Sequence, residues 1–227
     1  MKTLAAAFFL FIGCVSPTLA DTIAIIGTGN VAKALGPEFA ALGHTIVYGS
    51  RSPDSEKTQD LVSGTPGQAS AALPSRAIVD ADIVVLAVPG LLVEEITRDL
   101  GDLSGKIIID PTNPLVGDWD TEMELGVDSS NTQIIQNVAP SAFVVKAFST
   151  LNWRQMVEPG GAISIPIAGD SDAAKQRVAE LISGMGLEPM DLGPVKNAHW
   201  IEGMTIVWLN NRKSDRPDFE YHLRRID

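Results

Sequence analysis

The sequence predicts an α/β protein, a doubly wound, mainly parallel sheet with a small helical extension at its C-terminal end. Three observations point there. The apolar run Ile23-Ala24-Ile25-Ile26 ends in two glycines two apart, Gly27 and Gly29, and a helix-compatible stretch from Val31 to Leu42 follows at once. Continuous apolar runs recur at Asp82–Pro89 and Lys106–Asp110, with the character of strands covered on both faces by helices, as parallel sheets require. A helical stretch, Leu91 to Leu100, separates those two runs.

Taken in order, Met1–Ala20 reads as a signal peptide ahead of the fold. Lys2 supplies a positive n-region, Leu4–Ile12 an apolar core too short to span a bilayer, and Thr18-Leu19-Ala20 a small-residue cleavage site. Export is the expectation, to a periplasm or to the medium. Phe11-Ile12-Gly13-Cys14 loosely resembles a lipoprotein cleavage box, and cleavage there would leave a lipid anchor on Cys14, with residues 14–20 as a tether. Residues 21–227 then form one domain, whose helical extension begins at about 194.

Composition narrows the function classes. Without the leader about 207 residues remain, enough for one α/β core, and 16 basic residues face 28 acidic ones, a net charge of −12. That balance argues against nucleic acid or an anionic membrane as partner. No cysteine follows Ala20, so neither a disulfide nor a thiolate metal site is available, and no second long hydrophobic span exists. His44, His199 and His222 show no metal-ligand spacing, and no G-x-x-x-x-G-K-[ST] loop is present.

The glycine stretch carries the strongest chemistry. After a strand and before a helix, Gly27 would make a tight turn, Gly29 would leave room for a pyrophosphate, and Ala32 would let the helix pack closely on the strand. The helix N-terminus would offer free N–H groups and partial positive charge to the phosphates. An ordinary Gly-rich turn is the plainer alternative. The next strand, Thr45–Gly49, chooses between cofactors. Where an NAD site usually places Asp or Glu to accept the ribose hydroxyls, this chain has Ser50 and Arg51. A hydroxyl and a guanidinium can bind a 2′-phosphate that a carboxylate would repel, which favours NADP over NAD. Lys57 could add a second cation or lie on a helix surface.

Residues 61–76 are rich in Gly, Ser, Ala and Pro and read as the end of a helix and a connecting loop, with a short strand at Ala77–Val79. Val88 and Pro89 close the Asp82–Pro89 run at the edge where open α/β sheets hold ligands, an apolar wall suited to a nicotinamide. Pro111-Thr112-Asn113-Pro114-Leu115 leaves the following strand on the same rim. A helix is expected over Asn131–Val138, strands over Phe143–Phe148, Ala162–Ala168 and Leu187–Leu192, and a helix over Asp172–Met185 capped by Ser171. Pro194–Leu209 reads as a helix apolar on most sides, which another subunit could cover.

Ile26-Gly27-Thr28-Gly29-Asn30-Val31-Ala32, Tyr48-Gly49-Ser50-Arg51, Val85-Leu86-Ala87-Val88-Pro89, Asp110-Pro111-Thr112-Asn113-Pro114-Leu115, Val145-Lys146-Ala147-Phe148, Ala168-Gly169-Asp170 and Asp191-Leu192-Gly193-Pro194 together resemble the NADPH-dependent coenzyme F420 reductase family. They are similar as well to the reductase domain of the six-transmembrane metalloreductases. The likeness runs from Thr22 to Asp227. It implies a Rossmann domain, NADP preference, a homodimer, and hydride exchange with a planar acceptor such as F420 or another flavin-like molecule, or a metal chelate. It also implies that Gly27, Thr28, Gly29, Asn30 and Val31 contact the cofactor phosphates, that Ser50 and Arg51 hold the 2′-phosphate, and that Val88 and Pro89 border the nicotinamide. Trp153, His199, Trp200 and Met204 could line an acceptor pocket or fill a core. No catalytic side chain stands out, since hydride transfer to an acceptor that delocalises its own charge needs no acid–base pair. Two alternatives stay open: an NADP-binding sensor or structural subunit without turnover, and an imine reductase of the pyrroline carboxylate type, which would need a longer helical domain.

Overall fold

The computed structural model describes residues 20–118, 120–213 and 216–226. The expected leader, Cys14 included, lies outside the described residues apart from Ala20. The first half alternates strand and helix: β1 (Thr22–Ile26), α1 (Asn30–Ala41), β2 (Thr45–Gly49), α2 (Glu56–Ser63), β3 (Ala69–Ala72), α3 (Pro74–Ala77), β4 (Ile83–Leu86), α4 (Val93–Leu100) and β5 (Ile107–Asp110). A small antiparallel hairpin, β6 (Leu115–Gly117) and β7 (Met123–Leu125), precedes α5 (Asn131–Val138) and β8 (Phe143–Lys146). The chain ends with β9 (Ser164–Ile167), α6 (Asp172–Gly184), β10 (Glu188–Asp191) and α7 (Ala198–Lys213).

Six strands form one all-parallel sheet in the order β3-β2-β1-β4-β5-β8. Because alternate residues of a strand face opposite ways, β1 feeds two cores. Ile23 and Ile25 pack with Leu35 and Phe39 of α1 and with Val178 and Leu181 of α6. Ala24 and Ile26 pack with Ala77, with Val93 and Leu100 of α4, and with Ile135 of α5. Each fully buried isoleucine contributes about 1.5–3 kcal/mol, so the apolar runs place the sheet between its helices. The chain order reverses at β1, which puts the topological switch between β1 and β4, at the carboxyl edge of the sheet.

Three expectations need correction. Ala77–Val79 is not a strand: Ala77 ends α3, and the edge strand is β3, inside the stretch expected to be loop. Its Ala-Ser-Ala-Ala sequence has no apolar alternation, yet an edge strand needs only its backbone to pair, here from Ile46↔Ala69 to Gly49↔Ala72. The strands at Ser164 and Glu188 do not extend the main sheet. They pair with each other, and an antiparallel bridge between Lys146 and Ala168 ties them on. The last helix begins at Ala198, after a 3-10 turn over Val195–Asn197, and this chain covers only one side of it, leaving apolar residues on the other. Ala198, Ile201, Glu202, Thr205 and Trp208 are buried, while Trp200 and Val207 are 71% and 60% exposed. Ser171 does cap α6, accepting from the Ala174 N–H. No helix among the described residues is long and apolar enough to cross a membrane.

Candidate functional site

At the β1–α1 turn, Gly27 has φ +113°, and a Cβ there would lie 2.2 Å from the Ala87 carbonyl oxygen. Only glycine fits this turn. Gly29 differs: it is exposed, its φ of −82° suits any residue, and a Cβ would meet nothing within 4 Å. What Gly29 keeps clear is the open space before α1. Among the described residues no side chain caps that helix, and no acid sits in its first turn, so its leading N–H groups and dipole can meet an anion. Ala32 is fully buried against the sheet, as close packing of helix on strand demands. These features fit a dinucleotide pyrophosphate.

The β2 exit lies one strand over. Arg51 is exposed and makes no ion pair among the described residues, whereas Ser50 is buried. The Ser50 hydroxyl accepts from the Ser52 N–H (3.1 Å) and pairs with Thr58 Oγ1 (3.1 Å), and Thr58 Oγ1 also donates to the Ser52 carbonyl. The two residues read as a pair in the sequence are therefore separated: Ser50 shapes the loop and Arg51 faces outward from it. Lys57 is exposed on the first turn of α2 and lines a cleft with Lys33.

Across the switch point, Val88 is half-buried against the second core and Pro89 is exposed, on the rim expected of them. Beneath this rim lies a charged cluster that the sequence reading passed over. Lys146, at the end of β8, is wholly buried, with Nζ 2.8 Å from Asp110 Oδ2 and 2.7 Å from Glu202 Oε1, and both acids are equally buried. Nζ also donates to the Thr112 carbonyl at 2.6 Å. Asp110 accepts at Oδ1 from the Thr112 N–H and hydroxyl, and at Oδ2 from the Thr132 hydroxyl. Burial pushes the Lys146 ammonium down, but Asp110 and Glu202 together hold it above the usual lysine range. Burial raises the Glu202 carboxyl to about 7, against the pull of Lys146. A signal did exist: Asp110 and Lys146 each close an apolar strand, and Glu202 is the one acid of α7.

The exit of β8 is strained. Phe148 has φ +61°, an outlier for a bulky side chain, and it is held by burial and an edge contact to Phe39 at 6.2 Å. The turn aims the Ser149 carbonyl at two donors, Asn113 Nδ2 (2.9 Å) and Thr205 Oγ1 (2.7 Å). Of the proposed acceptor-side residues, Trp200 is exposed on α7, where its ring meets the edge of His199, and Trp153 packs at the border of the first core. A separate cavity of about 420 Å³, lined by Thr97, Asp102 and Asn137, opens at the amino ends of the strands, away from the crevice. No cluster of three or more His, Cys, Asp or Glu among the described residues is placed to hold a metal ion.

An all-parallel doubly wound sheet with an uncapped glycine turn at its switch point defines a dinucleotide-binding protein of the Rossmann class. Residues 22–114 match the family of NADP oxidoreductases that are coenzyme F420-dependent. It is 29% identical over 200 residues to the metalloreductase STEAP3 of Rattus norvegicus, a match covering 87% of this chain and 39% of that protein. The chain thus spans about two-fifths of the length of that relative. It is 25% identical over 205 residues to the F420-dependent NADP reductase of Methanocaldococcus jannaschii, covering 83% of this chain and 92% of the other. A crystal structure of a proposed F420-dependent NADP reductase from Arthrobacter sp. FB24 superimposes with a TM-score of 0.80 at 29% identity, covering 89% of this chain and 99% of that one.

Proposed function

We propose that the protein is an NADPH-dependent reductase that exchanges hydride between the cofactor and a planar deazaflavin or flavin-like acceptor, or passes reducing equivalents to a metal chelate. The observation that carries the reading is the pairing of the open, uncapped α1 N-terminus with Ser50 and Arg51, rather than a carboxylate, at the two positions directly after β2. Gly27, Thr28, Gly29, Asn30 and Val31 would hold the phosphates, Arg51 the 2′-phosphate over its Ser50-braced loop, and Val88 and Pro89 would border the nicotinamide. Bound NADPH supplies the hydride, and the protein supplies orientation and a dry floor. The family match and the metalloreductase likeness support the donor half, and the acceptor classes come from what those relatives' names say they use.

The test is titration of residues 21–227 with NADPH and NADH, followed by a panel of F420, flavins and ferric chelates. NADPH should bind more than tenfold tighter, and one acceptor class should sustain NADPH oxidation. Equal affinities would sink the 2′-phosphate assignment, and binding without turnover on the whole panel would favour a sensor. The exposed Trp200 and Val207 face of α7 supports a homodimer. Sedimentation of the chain and of Trp200→Asp checks this, a monomer in both cases counting against it. Export follows from the leader reading, and fractionation of expressing cells, with a lipid label for Cys14, tests it.

A further inference from the structure

We propose that Glu202 is a positioning residue for the reactive end of the crevice: from α7 it ties the loops after β4, β5 and β8 into one rim, and its change of charge moves that rim. The proposal rests on the cofactor reading above, which places the nicotinamide over these strands.

The ties can be followed atom by atom. Glu202 Oε1 accepts from Lys146 Nζ at 2.7 Å and from the Asn131 N–H at 3.0 Å. Lys146 donates in turn to the Thr112 carbonyl in the loop after β5. Asn131 Nδ2 donates to the Gly90 carbonyl in the loop after β4 (3.0 Å) and to Thr112 Oγ1 (2.7 Å). One helical turn beyond Glu202, Thr205 Oγ1 donates to the Ser149 carbonyl in the loop after β8, which Asn113 Nδ2 also reaches. Three loops distant in sequence are therefore linked to α7, the loop after β8 directly through Thr205 and those after β4 and β5 through Asn131 and Lys146. They have no slack, because a Cβ on Gly90 would stand 1.9 Å from the Asn113 carbonyl oxygen.

Glu202 is fully buried, and among the described residues its Oε2 has no hydrogen-bond partner. A proton can therefore be gained or lost at Oε2 without breaking either bond at Oε1. The charge on the cluster changes while the bonding pattern persists, so the carboxylate's grip on Lys146 and on the Asn131 amide tightens or slackens. Burial places that change near neutrality. The charged groups facing Glu202 are Lys146 and Asp110, both buried. His199, one turn back on α7, meets the Ser129 carbonyl, while Glu124 on β7 and Lys196 in the preceding 3-10 turn belong to packed elements but are exposed to solvent.

The experiment has a ligand-free arm and a cofactor arm, both on residues 21–227. In the ligand-free protein, the side-chain amide resonances of Asn113 and Asn131 should titrate together near neutral pH, and stay fixed in Glu202→Gln, which keeps an acceptor oxygen but cannot ionise. In His199→Asn the titration should persist. Resonances that stay still in the wild type, that still move in Glu202→Gln, or that stop moving in His199→Asn would overturn the proposal. In the cofactor arm, the emission of bound NADPH should follow the same pH dependence in the wild type and lose it in Glu202→Gln, while adenosine 2′,5′-bisphosphate, which fills only the adenosine end, binds within about twofold in both. A bisphosphate affinity that falls with the variant would mean general unfolding rather than positioning. Amides that titrate as expected in a chain that binds no NADPH would overturn the cofactor reading instead and leave Glu202's hold on the rim established.

Discussion

The two ends of the crevice are built by different physics. Over β1 and β2 the site is backbone: a glycine turn, a helix end and an exposed loop, with one outward guanidinium. Over β4, β5 and β8 the floor is side chain, three buried charges and the hydroxyls and amides that satisfy them. The first design presents unfilled hydrogen-bonding groups to a ligand and needs little stability of its own. The second is closed on itself, so its removal should be felt first by the fold. On the proposed cofactor placement, a substitution over β1 and β2, the adenosine end, should cost affinity, and one under β4, β5 and β8, the reactive end, should cost stability.

Lys146→Met is the harshest trial of that division. It leaves Asp110 and Glu202 facing each other without a counter-ion in a dry site, a change that should cost about 3–5 kcal/mol in urea unfolding. A loss below about 1 kcal/mol would mean that the cluster is not held by its charges. Glu202→Gln probes the same region through pH. The folded carboxyl keeps its proton up to about 7, whereas the ordinary value is 4.5, so in that window the folded chain binds more protons than the unfolded one. The contribution is then fully present below the lower value and is lost as pH rises through the window, up to about 3 kcal/mol in all. The variant cannot ionise, so its unfolding free energy should fall less than the wild type's between about pH 5 and 8. Parallel curves for the two would break the assignment.

The same division explains what the sequence disclosed. β1, β2, β4 and β5 announce themselves by apolar runs, and the Gly27 turn and the Ser171 cap are local chemistry, fixed by residues within a few positions of one another. Ser50 and Arg51 sit at the right exit, but their opposite orientations depend on Thr58, eight residues on, whose hydroxyl claims the Ser50 hydroxyl. β3 escaped because an edge strand of small residues carries no pattern to read. The Asp110, Lys146 and Glu202 cluster spans 92 positions and exists only once β5, β8 and α7 have been brought together. Each member taken alone marks only a charge where none was expected.

The two glycines set a finer contrast inside the adenosine end. Gly27→Ala drives a Cβ onto the Ala87 carbonyl at a positive φ and should cost about 2–3 kcal/mol of stability. Gly29→Ala meets no protein atom and should leave unfolding within about 0.5 kcal/mol of wild type, yet weaken NADPH by tenfold or more. Were Gly29→Ala to bind as well as wild type, the space before α1 would not be the phosphate site.

The smallest effect asked for is at the β2 exit, and it separates two residues that the sequence presents as equals. Arg51 is exposed and makes no ion pair among the described residues, so Arg51→Ala should leave stability unchanged while removing a charge-assisted contact of about 1.5–2 kcal/mol from NADPH alone. The gap between NADPH and NADH should then close by roughly tenfold or more, with NADH affinity unmoved. Ser50→Ala should act the other way round. Its hydroxyl is engaged with Ser52 and Thr58, so its loss should loosen the loop by about 1 kcal/mol and weaken NADPH only secondarily, through Arg51. If Ser50→Ala instead narrowed the cofactor preference as strongly as Arg51→Ala without touching stability, the hydroxyl would be turning outward to the phosphate, and the division between a braced residue and a presented one would fail at its most exposed point.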